Sequence, residues 1–274
     1  MTAGRARSGE MFAMVGHEMR RPLTSIKGYT EMLLAHWEDF SDADKIGMLK
    51  EMRHDAERVG RLIDDLVEVS RLETGRASLV LRQVDMADLV ARVVADLKAA
   101  YPVLEASVEI PPQLPPVVAD PFRLEQVIGN ILENACQYGS PGTVRIRGSY
   151  HPSPFPNRAP GVSGGPLPGT GQPPAGEWGD GPTGQQAPSG VVEIAISDKG
   201  EGIAPDDLPH VTEKFYRSAA ARRGGLGLGL WISKSIVEAH GGRLVASSVA
   251  GEGATVHFTI PLRRDGGSGK LAGP

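Results

Sequence analysis

The residues best suited to chemistry near the N-terminus are His17 and Glu18, in the segment FAMVGHEMRRPLTSIKGY. A neutral, exposed imidazole is a competent nucleophile near neutral pH, and an adjacent carboxylate can orient it or accept its second ring proton. Gly16 leaves room beside the ring, and Pro22 removes a backbone hydrogen bond and can bend the helix. The motif indicates a nucleophilic histidine, although most histidines in a helical seam are plain core or surface residues.

A second segment, RLEQVIGNILENACQYG, carries two amide side chains on one face of a predicted helix. Asn130 and Asn134 are four residues apart, and Tyr138 follows one turn later. Two amide oxygens can ligate Mg²⁺ without adding charge beside a triphosphate. An ordinary amphipathic helix would give the same pattern, so this segment alone leaves both interpretations open.

A third segment, VVEIAISDKGEGIAPDDL, ends a strand of buried character at Asp198. A carboxylate at that place can accept a hydrogen bond from an exocyclic amine such as adenine N6, and Gly200 and Gly202 would let a flat ring approach the backbone. The alternative is a common turn rich in Asp and Gly.

A fourth segment, GGLGLGLWISKSIVEAHGG, places glycines directly before an amphipathic helix. Free backbone amides and the positive helix end would suit a phosphate chain there. The spacing is not that of a Walker P-loop, and the segment does not lie in a dinucleotide-binding β-α-β unit.

Two long helical patterns must position the first motif. Apolar residues recur at helical spacing from about Gly9 to His36 and from about Asp42 to Leu72, with a helix end and a new N-cap around Asp39 to Asp42. We expect an antiparallel hairpin. Because two helices cannot enclose such an apolar stripe alone, we also expect a four-helix homodimer.

The remaining motifs fall in a region of alternating strand and helix patterns. The predicted strands are Ser78–Val84, Val144–Arg147, Val192–Ile196, Arg243–Ser247 and Thr255–Ile260. The predicted helices are Met86–Ala100, Pro121–Tyr138 and Leu228–His240. The predicted fold class is therefore α+β: a helical hairpin followed by an α/β sandwich with a mixed sheet and helices on one face.

These patterns predict a helical hairpin at 1–75, an α/β domain at 76–264 and a disordered tail at 265–274. Residues 150–190 are dominated by Pro, Gly, Ser and Gln, which favours a disordered insertion in a hairpin loop. A solvated spacer is the favoured interpretation of this insertion, and a Pro-rich docking segment is the alternative.

Composition excludes several classes. The 274 residues carry a net charge of -4 with both signs interspersed, so we expect no direct contact with nucleic acid. No apolar run reaches membrane-spanning length and the first ten residues lack a signal-peptide core, so we expect a cytoplasmic chain without a membrane span. The single cysteine, Cys136, excludes an internal disulfide and a cysteine-built zinc site.

Taken together and in this order, the four motifs resemble those of the sensor histidine kinase family, from about Phe12 to Leu262. The first resembles its phosphoacceptor box. The next three resemble the asparagine box and two glycine boxes of the nucleotide-binding fold shared with Hsp90, gyrase and MutL. The resemblance implies a dimerisation and phosphotransfer hairpin followed by a catalytic ATP-binding domain.

The resemblance also implies roles for individual residues. His17 would be the phosphoacceptor, Glu18 its acid-base neighbour, and Asp198 the adenine contact. Asn134 would be the main Mg²⁺ ligand, with Asn130 beside it. An ATP lid would run from about Phe215 to Gly224. The other residues expected at the nucleotide are Tyr138, Gly200, Gly202, Tyr216, Arg217, Gly225, Leu226, Gly227, Leu228 and Gly229.

Three residues depart from the family pattern. Arg21 stands where Thr or Asn is usual, a position associated with dephosphorylating the partner, so we hypothesise weak phosphatase activity. Gln137 replaces a phosphate-contacting Lys and would weaken nucleotide binding. Thr212 replaces a lid phenylalanine.

The resemblance implies a kinase that autophosphorylates His17 from Mg-ATP and passes the phosphoryl group to an aspartate of a response-regulator receiver domain. We expect the receiver to dock around Thr24 to Leu34. The departures leave open a degenerate, non-catalytic, nucleotide-binding dimeric scaffold. A third alternative is an ATPase clamp of the same fold, which would not need His17.

Overall fold

The computed structural model describes residues 2–74, 78–102, 104–139, 143–152, 190–218 and 225–262. The predicted tail lies outside these residues, as does nearly all of the predicted insertion. The same holds for Gly75, Gly224 and the second half of the predicted lid. Within the described ranges no helix is long and apolar enough to cross a membrane.

The N-terminal part is a hairpin of two long helices, α1 (Thr2–His36) and α2 (Asp42–Glu73), which pack against each other. A capping box begins α2, where the sequence predicted an N-cap. The Ser41 hydroxyl accepts a hydrogen bond from the Asp44 N–H at 3.2 Å, and the Asp44 carboxylate accepts one from the Ser41 N–H at 3.3 Å. Pro22 lies inside α1, where it has no N–H to donate to the carbonyl of Glu18.

The C-terminal part is an α/β domain. Its helices are α3 (Met86–Ala100), α4 (Pro121–Tyr138) and α5 (Gly229–Ala239). Its strands are β1 (Arg82–Val84), β2 (Glu105–Glu109), β3 (Val117–Ala119), β4 (Thr143–His151), β5 (Val191–Ser197), β6 (Arg243–Val249) and β7 (Gly253–Pro261).

Five strands form one sheet in the order β2-β4-β5-β7-β6, with β2 parallel to β4 and the other neighbours antiparallel. A separate antiparallel pair joins β1 to β3. Because alternate residues of β4 are buried, one face of that strand meets the helices. The apolar residues of that face form one core with α4, including Ile146, Ile194, Phe258, Leu124 and Ile128. The mixed sheet with helices on one face is confirmed.

Strands β2 and β3 were not predicted from the sequence, and β1 is shorter than the sequence predicted. Four of the five residues of β2 are exposed, and β3 has only three residues, so neither gives a clear alternating pattern. The predicted strand Ser78–Val84 is wrong in its first half. The Val80 N–H donates to the Asp120 carboxylate at 2.8 Å, so the ladder begins only at Arg82.

Asp120 fixes where α4 begins. One of its carboxylate oxygens accepts the N–H groups of Phe122 and Arg123, which caps the helix. Its own N–H donates to Nε2 of the buried His240 at 3.0 Å, and His240 Nδ1 lies 2.8 Å from the Ile236 carbonyl. The start of α4 is thereby tied to the end of α5, and these two helices carry the predicted asparagines and the last glycine motif.

The hairpin packs on the α/β domain through α2. Leu62 and Val69 belong to the same apolar cluster as α4, and Trp231 of α5 packs against that cluster. Asp65 also lies on this side. Burial is the largest cause that raises the pKa of Asp65 from 3.8 to about 6, and repulsion from Glu133 of α4 and from Asp64 adds to it.

Asp65→Asn should stabilise the protein at neutral pH. An acid whose pKa rises on folding favours the fold below its unfolded pKa, here 3.8, and loses that contribution as the pH rises through about 6. Allowing for its partial exposure, we expect a gain of about 1 kcal/mol at neutral pH, shrinking on acidification. Thermal unfolding across this pH range measures it. The exposed neighbour provides the control Asp64→Asn, and equal behaviour of both variants would contradict the assignment.

Candidate functional site

His17 and Glu18 point to different surroundings because successive helical residues are turned about 100° apart. The His17 side chain is exposed, whereas Glu18 is only 5% exposed. One Glu18 oxygen accepts a hydrogen bond from Arg217 at 3.0 Å, and the other accepts one from Arg58 of α2 at 3.1 Å. Both oxygens of the predicted acid-base neighbour are therefore engaged by guanidinium groups.

Two further ion pairs join α2 to the α/β domain. Lys214 Nζ lies 2.5 Å from Oε1 of Glu73, and Arg123 Nη1 lies 2.7 Å from Oε1 of the buried Glu68. The latter contact is close without being an aligned hydrogen bond, since Arg123 Nη1 donates to Gln126 instead. With Arg217 and Glu18, three pairs cross between the two parts among the residues that the structure describes. In each one the hairpin supplies the carboxylate and the α/β domain supplies the cation.

The polar face of α4 turns toward the start of α5. Asn130 Nδ2 donates to the Gly229 carbonyl at 3.2 Å and to the Ser233 hydroxyl at 3.4 Å. These bonds orient the amide, so the predicted asparagine motif and the last glycine motif meet here. Asn134 is half-buried one turn further along α4, and Tyr138 is 46% exposed at the end of the helix.

Asp198 lies directly after β5 and is partly buried. Burial raises the pKa of its carboxyl group, while hydrogen bonds from the backbone N–H groups of Ala254 and Gly200 act in the opposite direction. Gly200 pairs with Gly139, just beyond α4. A Cβ on Gly200 would lie 2.6 Å from the Tyr138 carbonyl oxygen, so only glycine permits this approach. The Asp198 loop thus abuts the end of the asparagine helix.

Gly202 completes the turn after Asp198. Its φ of 73° lies in the left-handed region, and a Cβ there would lie 2.6 Å from the Val249 carbonyl oxygen. The next residue, Ile203, donates its N–H to the Ser248 hydroxyl at 2.7 Å. The second predicted glycine therefore fixes the loop against the end of β6.

The described part of the predicted lid is tied to the last glycine motif. Phe215 donates its N–H to the Gly227 carbonyl at 3.1 Å, and both residues have a φ of 65°. Such a value is uncommon for a bulky residue and stores strain. Tyr216 donates its hydroxyl to Asp207 at 2.6 Å, a bond that raises the pKa of Tyr216.

The two leucines of the glycine motif are buried. Leu226 is 2% exposed and Leu228 is 1% exposed, and both belong to the hydrophobic core. Their side chains therefore anchor the loop. What remains for a ligand is the backbone of this loop, and a Cβ on Gly225 would meet no heavy atom of the described residues within 4 Å. This open space is consistent with a group resting there.

Sequence reasoning missed several residues that shape the site. Arg58 shows no local signal, because its partner Glu18 is forty positions away. Ser233 could have been found, since it lies one turn after Gly229 on the same helix face. Asp207 lies near the end of the third segment but was given no role there, and Ser248 is part of none of the four segments.

Comparison with known proteins decides the family. Residues 7–75 match the His Kinase A (phospho-acceptor) domain, and residues 180–264 match the histidine kinase-, DNA gyrase B- and HSP90-like ATPase domain. The chain belongs to the sensor histidine kinase family. Its second domain is accordingly an ATP-binding domain.

Individual relatives agree with this assignment. The chain is 30% identical over 256 residues to the sensor protein kinase WalK of Staphylococcus epidermidis, covering 92% of this chain and 36% of that protein. A WalK sequence from Staphylococcus aureus is also 30% identical, and 53% of it is covered. The chain thus spans about a third to a half of the length of these relatives.

Solved histidine kinase structures share the fold. The Acinetobacter baumannii histidine kinase AdeS gives a TM-score of 0.60 at 20% identity, covering 90% of this chain and 98% of that one. Histidine kinase ThkA, solved in complex with the response regulator protein TrrA, gives a TM-score of 0.58 at 21% identity, covering 94% of this chain and 63% of that one.

If Asp198 accepts the hydrogen bond from adenine that the resemblance implies, Asp198→Ala should weaken ATP binding by about 10- to 100-fold, because a hydrogen bond to a charged group contributes about 1.5–3 kcal/mol. Calorimetry with a non-hydrolysable ATP analogue measures the change. The exposed Asp206 lies in the same loop and provides the matched control Asp206→Ala. If both variants bind the analogue as tightly as the parent, Asp198 does not contact the nucleotide.

Proposed function

We propose that this chain is the ATP-dependent autokinase core of a two-component system, with His17 as the phosphoacceptor. The observation that carries the proposal is the contact between Arg217 and Glu18. Arg217 belongs to the described part of the predicted ATP lid, and Glu18 is the neighbour of the exposed His17. The ATP-binding domain therefore lies against the helix that presents the nucleophile.

The residues around α4 and α5 fit Mg-ATP. Asn130 commits its amide nitrogen to the start of α5, which leaves its carbonyl oxygen as the group that a hard cation prefers. We propose Asn134 and Asn130 as the Mg²⁺ ligands, the glycines from Gly225 to Gly229 beside the phosphates, and Asp198 at the adenine. The bound cation would neutralise charge on the phosphates.

In the proposed reaction a ring nitrogen of His17 attacks the γ-phosphorus. A nitrogen–phosphorus bond forms as the bond to the ADP oxygen breaks, and ADP leaves. Glu18 would orient the ring or take up its second proton, which requires Arg217 to release the carboxylate. Catalysis would rest mainly on positioning and charge neutralisation.

We propose that the kinase acts as a homodimer through α2. Ile46, Leu49, Ile63 and Val67 are each 44–52% exposed, and their spacing places them on one stripe of that helix. A second hairpin covering this stripe would give a four-helix bundle. The match to a phosphoacceptor domain at residues 7–75 supports this arrangement.

We further propose that a receiver domain of a response regulator accepts the phosphoryl group from His17. Histidine kinase ThkA has been solved with such a partner. The expected docking region, Thr24 to Leu34, ends in a leucine that is 81% exposed. Since ATP is the substrate, we propose that this core works in the cytoplasm, without direct contact with nucleic acid. The relatives give no support to the scaffold alternative.

Incubation with Mg²⁺ and γ-labelled ATP should label the parent chain, and the label should be acid-labile and alkali-stable. His17→Gln should abolish it, because the proposed nucleophile is removed. The exposed His54 of α2 provides the matched control His54→Gln, which should retain the label. Nucleotide binding without any label would contradict a kinase, and label that persists in His17→Gln would contradict the assigned histidine.

A further inference from the structure

A shallow groove runs along α1 beside the exposed imidazole. The described residues that line it are His17, Arg20, Arg21, Thr24 and Ser25. Their spacing of three, four, seven and eight positions from His17 places them on one face of the helix. The side chains of Arg20 and Arg21 are exposed, so both guanidinium groups are accessible at the groove.

In the part of the chain that the structure describes, no carboxylate pairs with the arginines of this groove. The carboxylate next to His17, that of Glu18, is buried away from the groove and bonded to Arg58 and Arg217. Among the residues that the structure describes, neither Arg20 nor Arg21 forms a side-chain hydrogen bond or an ion pair. Two guanidinium groups thus stand unneutralised beside a nucleophile.

This chemistry suits one kind of ligand. A guanidinium group presents several N–H donors in a plane, which matches the oxygens of a phosphoryl group and allows paired hydrogen bonds. The groove also offers the hydroxyl of Ser25, whereas that of Thr24 already donates to the Arg20 carbonyl. A small dianion with several acceptor oxygens would satisfy both charges.

We propose that Arg21, together with Arg20, forms a phosphoryl-binding site at His17. The site holds the transferred group on the imidazole and lengthens the life of the phosphorylated histidine. This deepens the proposed function, on which its role in signalling rests. Arg21 acts as a positioning residue: it binds phosphoryl oxygens and exchanges no proton.

Phosphate binding can be measured without any kinase activity. Inorganic phosphate is titrated into the full chain carrying ¹³C-labelled histidine, and the ring signals of His17, assigned with His17→Gln, are followed by NMR. The parent should show a saturable shift. Arg21→Gln should weaken the apparent affinity by about two- to five-fold, the range of one exposed charge pair, and Arg21→Lys should restore part of it.

Lys27→Gln is the matched control, because it removes the same charge from an exposed position on the same helix. It should leave the titration unchanged. Equal affinity in the parent and Arg21→Gln would overturn the proposal. An equal loss in Lys27→Gln would also overturn it, since the effect would then be one of net charge alone.

The second measurement is the lifetime of phosphohistidine 17. Phosphoramidate phosphorylates exposed histidines chemically, so the phosphorylated form is obtained without ATP, and ³¹P signals absent from His17→Gln identify it. In hydrolysis a water oxygen attacks phosphorus, the nitrogen–phosphorus bond breaks, and phosphate and free imidazole result. Arg21→Gln should shorten the lifetime by about two- to five-fold.

An unchanged lifetime in Arg21→Gln would overturn the proposal that Arg21 protects the phosphorylated histidine.

The kinase function and the phosphoryl-binding site can be tested independently of each other. If ATP never labels His17 while phosphate still binds through Arg21, the kinase assignment is wrong and the phosphoryl-binding site is supported. If ATP labels His17 and Arg21→Gln changes neither the affinity for phosphate nor the lifetime of phosphohistidine 17, the phosphoryl-binding site is wrong and the kinase assignment is supported.

Discussion

The buried carboxylate of Glu18 is the point at which three parts of the molecule meet. Burying a lone charge is costly, so this carboxylate needs both Arg58 of α2 and Arg217 of the predicted lid. Removing one partner from such a group typically costs about 3–5 kcal/mol. The two helices of the hairpin and the ATP-binding domain are thereby held in one arrangement, with His17 left exposed on the outside.

The same interaction explains the electrostatics on either side of α1. Because Glu18 is engaged on the buried side, it does not neutralise the arginines on the exposed side. Further along the hairpin, Glu68 and Glu73 lie against Arg123 and Lys214, so the hairpin again supplies the carboxylate and the ATP-binding domain the cation in these two pairs. Phosphoryl transfer would have to exchange the contact between Glu18 and Arg217 for contacts to the nucleotide. In the proposed reaction, the ion pair that holds the hairpin to the ATP-binding domain would therefore have to break.

The local features of the kinase could be predicted from the sequence, because they depend on neighbours in the chain. Helical spacing gave α3 and α4 with both bounds correct, and the Ser41 cap marked the start of α2. Strands β2 and β3 were not predicted, because β2 is mostly exposed and β3 has only three residues. The glycine motifs indicated a ligand site. The left-handed conformation of Phe215 could not be foreseen, since it depends on pairing with Gly227.

The partners of Glu18 were beyond sequence reasoning for a different reason. Arg58 and Arg217 are 40 and 199 positions away, and no local pattern distinguishes them from other surface arginines. Only the folded arrangement selects them. The roles proposed for His17, Asn134 and Asp198 rest on the family resemblance, which names the residue types and their order. Which charges surround them had to come from the structure.

A double-mutant cycle between Glu18 and Arg217 tests most directly whether this ion pair joins the hairpin to the ATP-binding domain. Unfolding free energies are measured for the parent, Glu18→Gln, Arg217→Gln and the double variant, with a parallel cycle of Glu18 and Lys214, which do not pair. We expect a coupling of about 1 kcal/mol or more for Glu18 with Arg217, and additivity for Glu18 with Lys214. Additive effects in the first cycle would contradict the account, because they would show that the two side chains do not interact in solution.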